Sequence, residues 1–275
     1  MLNGEEFDTV NALSLNLWIL AGVSLLCWLL SFPTKDNSWV DRIWSIVPAV
    51  YAWVWAGGEG FANARLNLIS VLITLWAARL TFNFARKGGY RPGGEDYRWE
   101  VLREQMKPWQ FQIFNLLFIV VFQNVLLYLI VWPLAALAPV GTGLDWRDLL
   151  LALLFLGLLT METVADQQQW NFHQWKKSEV ASGRKPEPGF LTTGLFRISR
   201  HPNFFAEVSQ WWVVLLFASV QVGLASWDWL GAVILTALFI GSTRFTETIS
   251  AGKYPAYREY QKSVSPLIPW FPKRG

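Results

Sequence analysis

Cysteine, histidine and charge are what this 275-residue chain has least of. Its one cysteine, Cys27, lies in an apolar run, which excludes a disulfide framework and a cysteine-based zinc site. Two histidines, His173 and His201, are too few for a histidine-rich metal centre, so no metal site is expected. Charged residues make up 16% of the chain, whereas a soluble domain carries about 25%. The net charge of +3 is too small to argue for a nucleic-acid partner. The first eleven residues hold Glu5, Glu6 and Asp8 but no Lys or Arg, so the basic start of a signal peptide is missing and the first apolar segment is expected to stay as an anchor. No GxGxxG after a strand, GxxxxGK[ST], GxSxG or HExxH occurs. A cofactor, if present, is therefore held by helices and loops.

What the chain does have is hydrophobicity: 53% of it is apolar and 18 residues are tryptophan. Apolar runs near the length that crosses a bilayer recur at about 12–32, 39–56, 66–86, 111–137, 148–165, 203–223 and 227–246. The second is short and carries Asp41 and Arg42 near its start; the fourth is long enough to tilt. Lys and Arg concentrate after the third, fifth and seventh runs, including Lys87, Arg91, Arg98, Lys176, Lys177, Arg197, Arg200, Lys253, Lys273 and Arg274. The loops after the second and fourth runs hold only Arg65 and Arg147. By the positive-inside rule, the fold expected is an all-α polytopic membrane protein of seven helices, N-terminus outside or lumenal and C-terminus cytoplasmic. One integral membrane domain, 1–275, is expected. Trp39, Trp109, Trp132, Trp146, Trp227 and Trp229 fall at or near run ends, as an interfacial aromatic belt would place them.

Polar groups inside such runs are costly and each is a candidate for function. Asp41 is either an interfacial carboxylate among headgroups or an acid facing a site. Arg79, Asn83 and Arg86 share a face of the third run and serve either packing or an anionic ligand. On the fifth run, ETVADQQQW sets Glu162, Asp166 and Gln169 in one stripe, with Gln168 on a neighbouring face. In GLFRISRHPNFFAEV, Pro202 suits a first helical turn, and Asn203, Glu207 and Gln210 then form a second stripe. The free N–H groups of that helix start, with Arg197, Arg200 and basic residues of neighbouring loops, suit a phosphate. Arg244 and Glu247, three apart, are expected to pair, and Tyr254, Tyr257 and Tyr260 either belong to a surface tail or line a ligand's flank. Most of these groups fall at the basic ends of runs three, five, six and seven. That pattern predicts one site for a soluble anionic cofactor, with a lipid-soluble substrate entering from the bilayer.

GLFRISRHPNFFAE resembles the signature of the steroid 5α-reductase C-terminal family, with further agreement in ETVADQQQW, GGEDYRW and EYQKSVSPLIPWFP. The resemblance implies an NADPH-dependent reductase of a carbon–carbon double bond conjugated to a carbonyl, acting on a steroid, sterol or polyprenoid lipid. It implies substrate-side helices in 1–110 and a cofactor mouth in 111–275. Asn203 would contact the cofactor and Glu207 shape its site. Arg91, Asp166 or Gln168, Lys177, Arg200, His201, Arg244 and Tyr254 would approximate other contacts. Asp41 matches the carboxylate that orients the substrate carbonyl. The sequence departs from the family where a tyrosine on the third helix is replaced by Trp76, which cannot act as a proton-transfer acid; either another group such as Tyr51 or Asp41 substitutes, or the substrate chemistry differs. A weaker likeness, through RHP, Glu247 and the YxxYxxxVxxLIP-like tail, is to isoprenylcysteine and phospholipid methyltransferases, which use S-adenosylmethionine. A third alternative is a lipid-binding membrane protein without chemistry. The membrane would be the endoplasmic reticulum in a eukaryote or the inner membrane in a bacterium.

Overall fold

Pro48 decides the shape of the second apolar run. Proline lacks an N–H and its ring crowds the carbonyl four residues back. In the computed structural model, the run accordingly breaks into two short helices, α2 (Trp39–Ile43) and α3 (Val47–Gly58), with Pro48 in the first turn of α3. The structure describes residues 4–95, 97–140, 143–223 and 227–272. Asp96 of the GGED loop and Lys273 and Arg274 of the tail lie outside the described residues, as do the side chains of Glu5, Glu6, Asp8 and Arg98.

No strand occurs among the described residues. Around α2 and α3, the helices are α1 (Gly4–Thr34), α4 (Ala64–Arg86), α5 (Tyr97–Gln105), α6 (Pro108–Phe114), α7 (Gln123–Leu129), α8 (Pro133–Leu137), α9 (Trp146–Ala181), α10 (Pro202–Val222), α11 (Leu230–Lys253) and α12 (Tyr257–Ser263). A π-helical stretch, Asn115–Phe122, joins α6 to α7, and Phe114, Phe118 and Phe122 stack along it at 4.9 and 5.2 Å. Among the described residues, six helical segments are long and apolar enough to cross a membrane: Val10–Thr34, Ala64–Arg86, Pro108–Leu137, Trp146–Ala181, Pro202–Val222 and Leu230–Lys253. The protein is an integral membrane protein. The split segment 39–58 is not among the six.

Contacts divide the chain into two compact units, the first Met1–Ala152 with Val214–Ala232, the second Leu153–Val213 with Val233–Gly275. In the first unit, α3 runs antiparallel to α4. Ser45 and Thr81 share a hydroxyl hydrogen bond of 2.7 Å, and the Trp53 indole donates to Thr74 Oγ1 at 2.9 Å. Asn63 caps α4: its Oδ1 accepts from the N–H groups of Arg65 and Leu66, while its Nδ2 donates to the carbonyls of Leu137 and Val140. Arg65 then meets Asp148 in a buried two-point ion pair, Nε–Oδ1 2.7 Å and Nη2–Oδ2 2.8 Å. Arg147 is held by Asp145 and by the Val220 carbonyl. Arg65 and Arg147, read from sequence as sparse loop charge, therefore fix helix ends. Trp109, Trp146, Trp227 and Trp229 are exposed as a belt requires, but Trp132 is packed against Trp55 and Tyr128.

The second unit contains the far half of α9. At 1.5 Å per residue, the 36 residues of α9 extend about 54 Å, well past roughly 30 Å of hydrocarbon. Helix α9 continues beyond the end of the apolar run at 165 to Ala181, because no proline or glycine between Asp166 and Ala181 breaks it. Tyr257, Tyr260 and Val264 of the tail form a small core with Phe190. Tyr257 and Tyr260 are thus packed into the fold rather than carried on a surface tail.

Candidate cofactor-binding site

Two stripes meet in the second unit, one on α9 and one on α10. Glu162 and Asp166 are four apart, as are Asn203 and Glu207, so each pair presents one helix face. The Gln210 amide donates to Glu162 Oε2 at 2.7 Å, and the Asn203 amide to Asp166 Oδ1 at 3.4 Å. Glu207 accepts from the Trp211 indole at 3.2 Å. Glu162, Asp166 and Glu207 are all buried, an unusual density of carboxylates for a helix pair. Gln210 is wholly buried and its Oε1 has no hydrogen-bond partner. The arrangement offers acceptors: carboxylate oxygens and a free amide oxygen, suited to a ligand bearing N–H or O–H groups.

Beside this stripe lies a knot centred on Arg200. Its Nε and Nη2 meet Glu247 at 2.6 and 2.9 Å, and its Nη1 donates to the carbonyls of Gln261, at 2.8 Å, and Val264. His201 Nε2 lies 3.2 Å from the same carboxylate, and the Gln261 amide donates to it at 2.9 Å. Backbone bonds continue the knot. Arg200 N–H donates to the Ser265 carbonyl, Trp270 N–H to that of Ile198, and Ser199 Oγ to that of Leu267. The Tyr260 hydroxyl donates to the Phe196 carbonyl. The GLFRISRHP segment and the C-terminal tail are therefore one folded feature, with α11 contributing Glu247. Glu247 does not pair with Arg244. Thr243 and Glu247, four apart, are buried, and Arg244 is turned outward and exposed.

A third arrangement joins α9 to the loop before the 3₁₀ turn Gly194–Arg197. Gln168 Oε1 accepts from the Leu195 N–H at 2.9 Å, and a Cβ on Gly194, whose φ is +63°, would stand 2.4 Å from that oxygen. Glycine is needed there for conformation and for room. Further along α9, the Lys176 ammonium donates to the Gly189 carbonyl at 3.0 Å and to the Tyr254 hydroxyl at 2.8 Å. A Cβ on Gly189 would overlap the Tyr254 ring at 2.1 Å. Burial works to raise the Tyr254 phenol, but the Lys176 bond and the Lys176 and Lys253 charges outweigh it, leaving the phenol below its ordinary value. Burial pushes Tyr257 and Tyr260 the other way.

Of the residues singled out in the sequence, Asn203, Glu207 and Asp166 come together with Glu162 and Gln210. Arg200 and His201 are drawn into the Glu247 knot, and Gln168 into the Gly194 turn. Lys177 and Arg244 are exposed, and Lys176, one residue from Lys177, donates to the Tyr254 hydroxyl. In the first unit, Arg91 is exposed in the glycine-rich loop. Asp41 accepts from the Trp99 indole at 2.9 Å, a partner from α5 that sequence spacing did not indicate. Tyr51 is fully buried with its ring against Tyr128. Trp76 is also fully buried.

Comparison with known proteins covers nearly all of these positions. A family profile described as "Protein of unknown function (DUF1295)" matches residues 27–264. The chain belongs to this family. The family is related to steroid 5α-reductase-like proteins, and its match takes in Asp41, both α9 and α10 stripes, and Arg200, His201 and Glu247 of the knot. The chain is also similar to the uncharacterized protein C594.04c of Schizosaccharomyces pombe, 39% identical over 265 residues, covering 88% of this chain and 75% of that protein. No solved structure matches.

Proposed function

We propose that the protein is a membrane-embedded reductase that uses NADPH to reduce a carbon–carbon double bond conjugated to a carbonyl in a steroid, sterol or polyprenoid lipid. The observation that carries this reading is the buried acid and amide stripe of Glu162, Asp166, Asn203, Glu207 and Gln210. A nicotinamide carboxamide and ribose hydroxyls donate hydrogen bonds, and the unpartnered Gln210 oxygen is a buried acceptor for such a group. Exposed Lys177, Arg197 and Arg244 of the same unit are cations available to phosphates. Bound NADPH would supply a hydride for the substrate's β-carbon and would be released as NADP⁺, with the proton at the α-carbon coming ultimately from water.

The chain's own residues have two tasks in this reading. Asn203 and Glu207 orient the cofactor on the α10 face. Asp41, fixed by Trp99, and Tyr51 orient the substrate carbonyl, with a hydroxyl donor stabilising the negative charge that develops on its oxygen. The proposed topology has seven passes, with α2 and α3 together making the second. The basic loops and the C-terminus face the cytoplasm, and the N-terminus faces outward or into a lumen. The membrane is then the endoplasmic reticulum in a eukaryote or the inner membrane in a bacterium.

A second reading, an S-adenosylmethionine-dependent methyltransferase of a lipid or prenylated substrate, draws on one observation. His201 and Arg200 of RHP meet Glu247 and the tail. Against it, each Arg200 guanidinium nitrogen already has a protein partner. Mass spectrometry of the nucleotide retained by the purified protein separates the readings. NADPH or NADP⁺ is expected; S-adenosylmethionine overturns the reductase, and no retained or added cofactor points to a lipid-binding protein without chemistry.

A further inference from the structure

The buried polar atoms of the first unit without a hydrogen-bond partner include the Asn16 amide, Arg42 Nη1, Asn67 Oδ1 and Asn115 Oδ1, and five more: Tyr51 Oη, Trp55 Nε1, Ser70 Oγ, Asn124 Oδ1 and Tyr128 Oη. None of the five residues is more than 5% exposed. They belong together. Tyr51 and Trp55 are four apart on α3, and Asn124 and Tyr128 are four apart on α7, so each pair shares a helix face. The two helices meet ring to ring, with Tyr51 and Tyr128 centroids 5.3 Å apart. Trp132 closes the circuit, 5.8 Å from Tyr128 and 6.4 Å from Trp55. Ser70 comes from α4, where the Trp53–Thr74 and Ser45–Thr81 bonds set a register that puts it within a turn of the level of Trp55.

Such a concentration is not a packing outcome that folding favours. A buried donor or acceptor left unsatisfied is costly, folded proteins keep few of them, and hydrocarbon offers no water to relieve one. The Asn124 amide nitrogen does have a partner, the Val120 carbonyl at 2.9 Å, so only its oxygen is left over. The π-helical stretch ends at Phe122, directly before the turn that carries Asn124, and π segments in helices are frequent at functional sites.

The five atoms specify a ligand by their chemistry. The indole only donates, the amide oxygen only accepts, and the three hydroxyls do both. No formal charge is among them. A neutral oxygen-bearing group meets that description, whereas a phosphate or a carboxylate does not. We propose that the Tyr51–Tyr128 niche seats the hydroxyl or keto oxygen of a neutral lipid, with the hydrocarbon body among the surrounding apolar side chains. This rests on the lipid-substrate part of the reading above. It adds Trp55, Ser70, Asn124 and Tyr128 as the residues that recognise the oxygen.

The test uses the full-length protein in detergent, wild type and a Tyr51→Phe/Tyr128→Phe double variant. Thermal unfolding is followed with cholesterol, its keto counterpart cholestenone, or the oxygen-free cholestane, each with and without NADPH. Cholesterol or cholestenone raises the unfolding midpoint of the wild type, cholestane does not, and the stronger of the two identifies the group. Without lipid, the double variant unfolds at or above the wild-type midpoint, because the phenol oxygens it loses bond nothing. Its affinity for the oxygenated probe falls about tenfold or more, the loss of one good hydrogen bond. The proposal is overturned if all three probes act alike, if none acts, if the double variant keeps its affinity, or if it is markedly less stable without lipid. The NADPH arm keeps the two readings apart. Sterol discrimination without NADPH binding leaves the niche standing and removes the cofactor assignment; NADPH binding without sterol discrimination does the reverse.

Discussion

Arg200 and Glu247 form a buried two-point ion pair, 2.6 and 2.9 Å across its two contacts, between residues 47 apart in sequence. It ties the GLFRISRHP segment, α11 and the C-terminal tail into one feature. Breaking such a pair by removing one partner leaves a buried charge uncompensated and costs about 3–5 kcal/mol. Glu247→Ala and Arg200→Ala are expected to lower the unfolding midpoint strongly. Arg200→Met/Glu247→Leu together is expected to recover part of the loss. Thermal denaturation in detergent checks this, and unchanged single variants would contradict the assigned role.

The Asn63 cap and the Arg65–Asp148 pair anchor the start of α4 in the same way. Replacing an N-cap asparagine by alanine costs about 0.5–2 kcal/mol, and Asn63 also holds the Leu137 and Val140 carbonyls. Asn63→Ala is expected at the upper end of that range. Asp148→Ala, which strands a buried guanidinium, is expected to cost more than Asn63→Ala when both are compared by unfolding midpoint.

Tyr254 supplies a pH-dependent signature. Its phenol is set below its ordinary value in the folded protein, so its contribution to stability is fully present above the unfolded value, about 10. That contribution is lost as pH falls through the folded value. Wild type is therefore expected to gain stability over Tyr254→Phe as pH rises toward that value. Tyrosinate absorbance is expected to show one phenol ionising early, absent in Tyr254→Phe and shifted back upward by Lys176→Met. An unchanged titration in both variants would contradict the Lys176–Tyr254 contact.

The six long helices were legible in the sequence because hydropathy alone sets them. The break in the second run was also there to be read, in Pro48, although the run's apolarity concealed it. Long-range pairs were not legible. Spacing proposed Arg244 for Glu247, but a three-residue step rotates around the helix far enough that Thr243 and Glu247 face inward while Arg244 faces out. The Asn203–Asp166 contact was half legible, since each residue stood out as polar in an apolar run while their meeting depends on how α9 and α10 pack. Trp99 as the partner of Asp41, and the unpartnered oxygens beside Tyr51, left no trace in local pattern.

If the α9–α10 stripe holds the cofactor, Glu207→Gln and Asn203→Ala should weaken NADPH binding about tenfold each, or 1.4 kcal/mol. Neither should unfold the protein. Equilibrium binding to the purified variants, with the unfolding midpoint measured in parallel, checks this; a collapse in stability without a specific loss of affinity would make the stripe a packing feature.

Cofactor identity is read most directly from the unfolding midpoint of the purified full-length protein with NADPH and, separately, with S-adenosylmethionine. Stabilisation by a ligand that binds only the folded state grows with its concentration over its dissociation constant. A concentration-dependent rise with NADPH that Glu207→Gln diminishes is expected, and no rise with S-adenosylmethionine. A rise with S-adenosylmethionine alone would contradict the reductase reading.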